Sequence, residues 1–143
     1  MTIRDYLSQA YRLDQRIDSN IREVSTLRKM MGSISSPVLG DRVQTSRLAE
    51  APFVRSIEKI MLLEEKINAE IDLLVDLKEQ IRSVIAAVPD TDERMVLSYR
   101  YVHNLTWEQI SDELNESVST VKRRHKSALD HAVLPENFIQ IEN

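Results

Sequence analysis

Four cationic side chains lie close together near the C-terminal end of the chain, at Lys122, Arg123, Arg124 and Lys126. Between residues 118 and 132 a single carboxylate, Asp130, opposes them, although the whole chain has a formal net charge of −4. Cations of this kind neutralise DNA phosphates and release counterions, which supplies affinity without sequence information. A basic cluster on an acidic chain therefore points to a local nucleic-acid contact.

Helical spacing predicts which side chains of this segment face outward. Val121, Ala128 and Leu129 form an inward apolar stripe, which leaves the outward positions Val118, Ser119, Lys122, Arg123 and Lys126. Lysine and arginine reach the acceptors of guanine in the major groove, and a valine can touch a thymine methyl group. The alternative is an ordinary solvated basic helix.

The residues before the cluster predict a second, shorter helix that would position it. Thr106 and Gln109 have the spacing of a capping box, and Ile110 and Leu114 give this helix an apolar face. The turn and the start of the next helix fall at Asn115 and Ser117, because asparagine tolerates left-handed backbone and serine caps helices. Two capped helices joined by one short turn form a helix-turn-helix, whose second helix enters the DNA major groove.

About forty residues here resemble region 4 of bacterial sigma-70-type factors. The resemblance is carried by Glu93, Arg94, Val96, Leu97, Arg100, Tyr101, Leu105, Thr106, Trp107, Glu108, Ile110, Leu114, Ser117, Thr120, Val121, Lys122, Arg124 and Ala128. By position, the resemblance implies base contacts from Val118, Ser119, Lys122 and Arg123. It implies phosphate contacts from Thr106, Trp107, Thr120, Arg124 and Lys126.

The whole chain also resembles, more loosely, small phage-encoded transcriptional regulators of the ArpU/RinA type. Those proteins join a coiled helical N-terminal half to a sigma-like helix-turn-helix, with a middle segment similar to residues 43–46 here. Two positions depart from the sigma pattern: Asn115 replaces a usual glycine, and His125 replaces a large aliphatic residue. We expect His125 to be a half-buried structural histidine, and Trp107 to pack in the core rather than to stack on a base. The aromatic-rich promoter-melting segment of a complete sigma factor has no counterpart before Asp90.

Apolar residues at seven-residue spacing predict two long helices in the N-terminal part. The first set is Ile3, Ala10, Ile17, Val24 and Met31, with companions Tyr6, Leu13, Asn20 and Leu27. The second set is Phe53, Ile60, Ile67, Leu74, Ile81 and Val88, with companions Ile57, Ile71 and Ile85 and interruptions at Glu64 and Lys78. Asn20 is a polar interruption of the type that fixes register.

Glycine and proline predict how the chain is divided. Gly32, Pro37, Gly40 and Pro52 mark a connection over residues 32–52. After Pro89, Asp90 and Glu93 predict a capping box before a helix from Met95 to Val102. We therefore expect an all-α fold: a helical hairpin or coiled-coil oligomerisation arm (1–88, linker 32–52), a sigma region 4-like helix-turn-helix domain (89–134) and a C-terminal tail (135–143).

Composition argues against an enzyme. The 143 residues contain no cysteine and two separated glycines, so a thiolate metal site and a glycine-rich phosphate loop are both excluded. The three histidines do not stand three or four residues apart, as helical metal ligands would. We expect no catalytic residues, no metal and no cofactor. No apolar stretch approaches a membrane span, so we expect a cytoplasmic protein without a membrane partner.

Double-stranded DNA is the expected partner, with host RNA polymerase as a further candidate. The two heptad stripes can fold back on each other, pair with another copy, or do both, and we expect a homodimer or higher oligomer. Two other classes stay open. One is a DNA-packaging protein of the small-terminase kind. The other is a module that binds polymerase or a regulator without binding DNA, since acidic and basic residues balance between Arg100 and Ala132.

Overall fold

The computed structural model describes residues 1–35 and 42–142, except for the side chains of residues 33–35 and 42–51. The described residues contain five α-helices and no β-strand. The helices are α1 (Ile3–Ser35), α2 (Arg42–Ala86), α3 (Thr91–Leu97), α4 (Trp107–Leu114) and α5 (Val118–His131). The predicted all-α fold, with two long helices before a C-terminal helix-turn-helix, is confirmed.

The predicted connection over residues 32–52 is too long. Helix α1 continues through Gly32 to Ser35, and α2 already begins at Arg42 and contains Pro52. A glycine or proline inside a helix costs about 1 and about 3 kcal/mol respectively, which a long helix tolerates. Pro37 and Gly40 lie outside the described residues, as do the side chains of residues 43–46.

The heptad stripe of α1 is the face that packs inward. The fully or almost fully buried positions are Tyr6, Ala10, Leu13, Ile17 and Val24. The remaining predicted positions are half-buried: Ile3, Asn20, Leu27 and Met31. The seven-residue pattern thus predicted the orientation of this helix correctly.

The stripe of α2 needs one correction. Its principal positions from Phe53 to Val88 are buried or half-buried as predicted, and so are the companions Ile57 and Ile85. The third companion, Ile71, is 39% exposed, and the positions one before the companion row and its interruption at Lys78 are buried: Glu70, Leu77 and Val84. Each of these three lies one position before the predicted row, because α1 covers that side of α2. The sequence-based prediction placed Ile71 inward rather than Glu70, because it considered only apolarity.

Residues 15–72 form one compact unit in which α1 and α2 run antiparallel. The carboxylate of Glu70, although only 6% exposed, accepts hydrogen bonds from Asn20 Nδ2 (2.8 Å) and Arg16 Nε (3.2 Å). Towards the C-terminal end of α1, ion pairs join Lys59 to Glu23 and Arg28 to Glu64. The two predicted segments therefore fold back on each other within one chain, and the polar position Asn20 has a specific partner that fixes the register.

Residues 1–14 and 73–143 form the second compact unit. This grouping differs from the sequence-based division at residue 88, because the first turns of α1 and the last turns of α2 share a core with α3 and α5. Buried members of that core are Tyr6, Leu7, Ala10, Leu77, Ile81, Val84, Ile85, Val88, Leu97, Tyr101 and Ala128.

The segment predicted as a tail, residues 135–143, is part of this second unit as far as residue 142. The side chains of Phe138, Ile139 and Ile141 pack against the core. Gln9 binds the backbone at both ends of a short stretch, donating to Ile139 O (2.9 Å) and accepting from Ile141 N (2.7 Å). Gln80 accepts from Ile139 N at 2.9 Å. Two glutamines thus satisfy backbone groups that no regular structure pairs.

Helix α3 is capped at Asp90 as predicted, but it begins at Thr91 rather than at Met95 and ends at Leu97. Asp90 caps it by accepting hydrogen bonds from Asp92 N (2.8 Å) and Glu93 N (3.1 Å). The return contact of a capping box is absent, because the Glu93 side chain turns inward to other partners. The predicted helix from Met95 to Val102 is α-helical as far as Leu97 and continues as a π-helical turn over Ser98–Val102.

Candidate nucleic-acid interface

Three local hydrogen-bonding motifs build the helix-turn-helix. Thr106 caps α4 in a complete capping box: its Oγ1 accepts from Gln109 N (3.2 Å), and Gln109 Oε1 accepts from Thr106 N (2.9 Å). Asn115 ends the helix in left-handed backbone, with φ 53° and ψ 43°. Ser117 Oγ then accepts from Thr120 N at 3.2 Å and starts α5. All three motifs are those that the sequence predicted.

A small apolar core holds the two helices at a fixed angle. Val96 from α3, Ile110 from α4 and Val121 from α5 are each 0% exposed and form one cluster. Trp107 and Leu114 are half-buried and pack against it. The predicted inward positions Val121 and Ala128 are buried and Leu129 is half-buried, so the opposite edge of α5 faces solvent.

His125 lies deeper than predicted, at 6% exposure. Its Nε2 is 2.6 Å from Tyr101 Oη, and its ring meets the edge of Trp107 with the centroids 4.8 Å apart. Burial lowers the pKa of His125 to about 4, and the positive charges of Arg4 and Arg100 contribute to that decrease. The imidazole is therefore neutral at pH 7 and shares a hydrogen bond with the Tyr101 hydroxyl group, which makes it a structural group between α5 and the π-helical turn.

The four predicted base-reading residues lie along the first turns of α5. Ser119, Lys122 and Arg123 are exposed, whereas Val118 is half-buried. In residues 1–35 and 42–142, neither Lys122 nor Arg123 forms an ion pair. Lys122 Nζ lies 5.9 Å from the centre of the Trp107 ring, which keeps its charge beside the start of α4.

The five predicted phosphate-contacting residues differ in their exposure to solvent. Thr106 and Lys126 are exposed, and Trp107, Thr120 and Arg124 are half-buried. Arg124 forms an ion pair with Glu116, and its hydrogen bond to that carboxylate raises the pKa of Arg124 above its usual value. Thr120 Oγ1 accepts a hydrogen bond from Ser117 at 2.9 Å. Arg124 must therefore exchange or share its partner before it can bind a phosphate.

Two polar groups to which the sequence assigned no role in this surface support it. Arg100 places its guanidinium 4.3 Å from the Trp107 ring centre and donates to Leu105 O at 2.9 Å. Glu93, 7% exposed, accepts from Ser127 Oγ at 2.7 Å and pairs with His131 Nδ1 at 2.8 Å. The hydrogen bond to Glu93, together with its charge, raises the pKa of His131. The Glu93 contacts join α3 to α5 across more than thirty positions, so no local sequence signal could reveal them.

The described residues contain no group of three or more His, Asp or Glu side chains that could hold a metal ion. None of the helices in the described ranges is long and apolar enough to cross a membrane. The exposed cations Lys122, Arg123 and Lys126 on α5 suit an anionic partner.

Comparison with known proteins agrees with the geometry. Residues 90–131 match the family Sigma-70, region 4. Searches of curated proteins and of solved structures give no significant match. The matched range contains α3, the π-helical turn, α4 and α5. Residues 90–131 therefore form a helix-turn-helix domain similar to sigma-70 region 4, which is a DNA-binding family.

Proposed function

We propose that this protein is a sequence-specific transcriptional regulator whose helix α5 enters the major groove of promoter DNA. The observation that carries the proposal is the outer edge of α5, where Lys122, Arg123 and Lys126 are exposed and form no ion pair with a described carboxylate. The buried core of Val96, Ile110 and Val121 and the capped starts of α4 and α5 hold this edge in position.

The proposed mechanism separates base contacts from phosphate contacts. Ser119, Lys122 and Arg123 lie on the exposed first turns of α5 and read base edges, with Val118 as an apolar contact. Lys126, one turn later, binds a phosphate, as do Thr106 and Thr120 through hydroxyl groups. Trp107 contributes through its backbone N–H in the first turn of α4, since its side chain packs in the core.

The electrostatics predict moderate affinity. Arg124 is neutralised in the free protein by Glu116, so three cations of α5 remain for the DNA. Each neutralised phosphate contributes roughly 0.9 to the slope of log affinity against log salt. We therefore expect Lys126 to contribute about −1 to this slope, and Arg124 to add a similar amount if it exchanges Glu116 for a phosphate.

The helical hairpin supplies a second surface, for which we propose self-association or a contact with host RNA polymerase. The resemblance to phage regulators of the ArpU/RinA type supports this arrangement of a helical arm and a sigma-like head. Exposed apolar side chains on α2, among them Met61 (63%) and Leu62 (66%), are available to a partner. A dimer would present two recognition helices and read an inverted repeat.

The test is selection of bound duplexes from a random DNA pool at about physiological salt, followed by measurement of the size of the protein–DNA complex. An enriched inverted repeat bound by two chains supports a dimeric regulator, and an enriched single site supports a sigma-like head that works beside polymerase. Retention without enrichment contradicts sequence reading and favours a packaging role of the small-terminase kind. Absence of retention contradicts DNA binding and leaves a protein-interaction module.

A further inference from the structure

A polar cleft lies where the first turns of α1 pass the start of α4. It has a volume of about 260 Å³. Its walls are formed by Ser8, Tyr11, Arg100, Tyr101, Asn104 and Thr106. Every one of these side chains carries a hydroxyl group, an amide or a guanidinium, and none carries a carboxylate. Of these groups, the Arg100 guanidinium, the Asn104 amide and the hydroxyl groups of Tyr11 and Thr106 can donate hydrogen bonds to an anion, whereas the hydroxyl groups of Ser8 and Tyr101 already bond Arg4 O and His125.

Arg100 is held in place on one wall of this cleft. Stacking on Trp107 and the hydrogen bond to Leu105 O use one face and one N–H of the guanidinium. A guanidinium has five N–H donors, so most of its donors remain for a ligand. In the described ranges Arg100 has no ion pair, in contrast to Arg124, which Glu116 already neutralises.

Helix α1 brings a second arginine to the same place, and no described carboxylate forms an ion pair with it. Arg4, Ser8 and Tyr11 are four and three residues apart, so they share one face of the helix. Ser8 Oγ donates to Arg4 O at 2.7 Å, and Tyr11 is 51% exposed. Burial is the largest cause of the lowered His125 pKa, and the positive charge of Arg4 is the second largest. Arg4 therefore lies within electrostatic range of α5. Arg4 and Arg100 therefore raise the potential of one local surface.

This surface continues the interface proposed above. Thr106 belongs both to the cleft and to the predicted phosphate contacts, and Trp107, under the Arg100 guanidinium, is also near Lys122 of α5. A phosphodiester backbone that passes the start of α4 would next meet the cleft. A cleft whose walls carry a guanidinium, an amide and hydroxyl groups suits a backbone phosphate better than an apolar ligand.

We infer that α1 takes part in DNA binding: Arg4, Ser8 and Tyr11, together with Arg100, form a second phosphate-binding site beside the helix-turn-helix. The inference rests on the proposed function, since it needs duplex DNA as the ligand. It assigns to the N-terminal helix a role that the sigma-like domain, residues 90–131, cannot supply alone. Because phosphate contacts carry no sequence information, the site adds affinity and orientation rather than specificity.

The test compares two pairs of matched variants of the full chain on the duplex that wild type binds best, across a salt titration. Arg4→Ala removes an exposed cation beside the cleft, and Arg82→Ala removes an exposed cation that lines a separate cavity between α2 and α3. Ser8→Glu places a carboxylate in the cleft. Ser83→Glu is its control, because Ser83 Oγ makes the same type of bond, to the carbonyl oxygen four residues earlier.

Arg4→Ala should lower affinity roughly threefold to tenfold for every sequence and reduce the magnitude of the salt slope by about one. Ser8→Glu should lower affinity at least tenfold, and both controls should match wild type. If Arg4→Ala and Ser8→Glu bind as wild type does, the second site is refuted while the proposed function stands. If wild type itself binds no duplex, the proposed function fails first and the inference fails with it.

Discussion

Removing the buried Tyr101–His125 pair should remove a large part of the acid sensitivity of folding. The pKa of His125 is about 4 in the folded chain, against an ordinary value of 6.5. A depressed folded pKa means that the unfolded chain takes up the proton first as pH falls, so stability present above pH 6.5 is lost down to about pH 4. The difference of about 2.5 pH units corresponds to roughly 3 kcal/mol.

The double variant Tyr101→Phe/His125→Leu isolates this contribution. Leucine restores an aliphatic residue at a position where the sigma-like pattern has one, and phenylalanine leaves no hydroxyl without a partner. Urea unfolding at pH 7 and pH 4, followed by circular dichroism and by the fluorescence of Trp107, the single tryptophan, gives the free energy of unfolding. Wild type should lose about 3 kcal/mol more than the variant between the two pH values.

The opposite behaviour of His131 does not disturb this comparison. Its pKa is raised by the hydrogen bond and charge of Glu93, so its stabilising contribution is present at low pH and is lost as pH rises. Both proteins contain that pair, and its effect cancels in the difference. Equal losses in wild type and variant, or an NMR titration that gives His125 a pKa near its ordinary value of 6.5, would refute this origin of the acid sensitivity.

Three further predictions concern the groups that fix local geometry, each measured by urea unfolding. Asn115→Ala should destabilise by about 1 kcal/mol, because alanine lacks the local hydrogen bonding that makes left-handed backbone acceptable, while Asn115→Gly should be tolerated; equal stability of all three proteins would contradict this. Thr106→Ala should cost about 1 kcal/mol through loss of the α4 cap, and Thr106→Ser should restore most of it; a fully stable alanine variant would count against the capping box. Asn20→Leu should cost roughly 1–3 kcal/mol because it removes a donor from the buried Glu70 carboxylate, whereas Asn20→Leu/Glu70→Leu should recover that loss. A double variant no more stable than the single one would disprove the polar pairing.

Short-range features were predictable from sequence. The Thr106 capping box, the left-handed Asn115 and the Ser117 cap each depend on residues within three or four positions of one another. The inward face of α1 could also be predicted, because a seven-residue apolar repeat marks the side of a helix that packs against a partner surface. These local motifs also specify the helix-turn-helix, which is why the sequence alone is enough to indicate this domain.

Contacts between distant segments were not predictable. Glu70 faces inward and Ile71 outward because Asn20 and Arg16 meet the carboxylate from α1, fifty or more positions away. The Glu93 side chain binds His131 on α5 instead of completing the cap of α3, and Gln9 binds the backbone at Ile141. A single sequence shows apolarity and spacing but not which polar groups will find each other. The contacts of Arg123 and Lys126 with DNA stay predictions, because a sequence does not show which polar groups of a partner these side chains meet.

Whether α5 reads bases is tested most directly by measuring complete base-preference profiles of Arg123→Ala and Lys126→Ala on the sites selected by wild type. We predict that Arg123→Ala relaxes preference at one base pair by about 1–3 kcal/mol and leaves the other positions unchanged. Lys126→Ala should weaken all sequences alike and reduce the magnitude of the salt slope by about one. If Arg123→Ala lowers affinity equally for every sequence, α5 does not read DNA through this residue, and the central claim is contradicted.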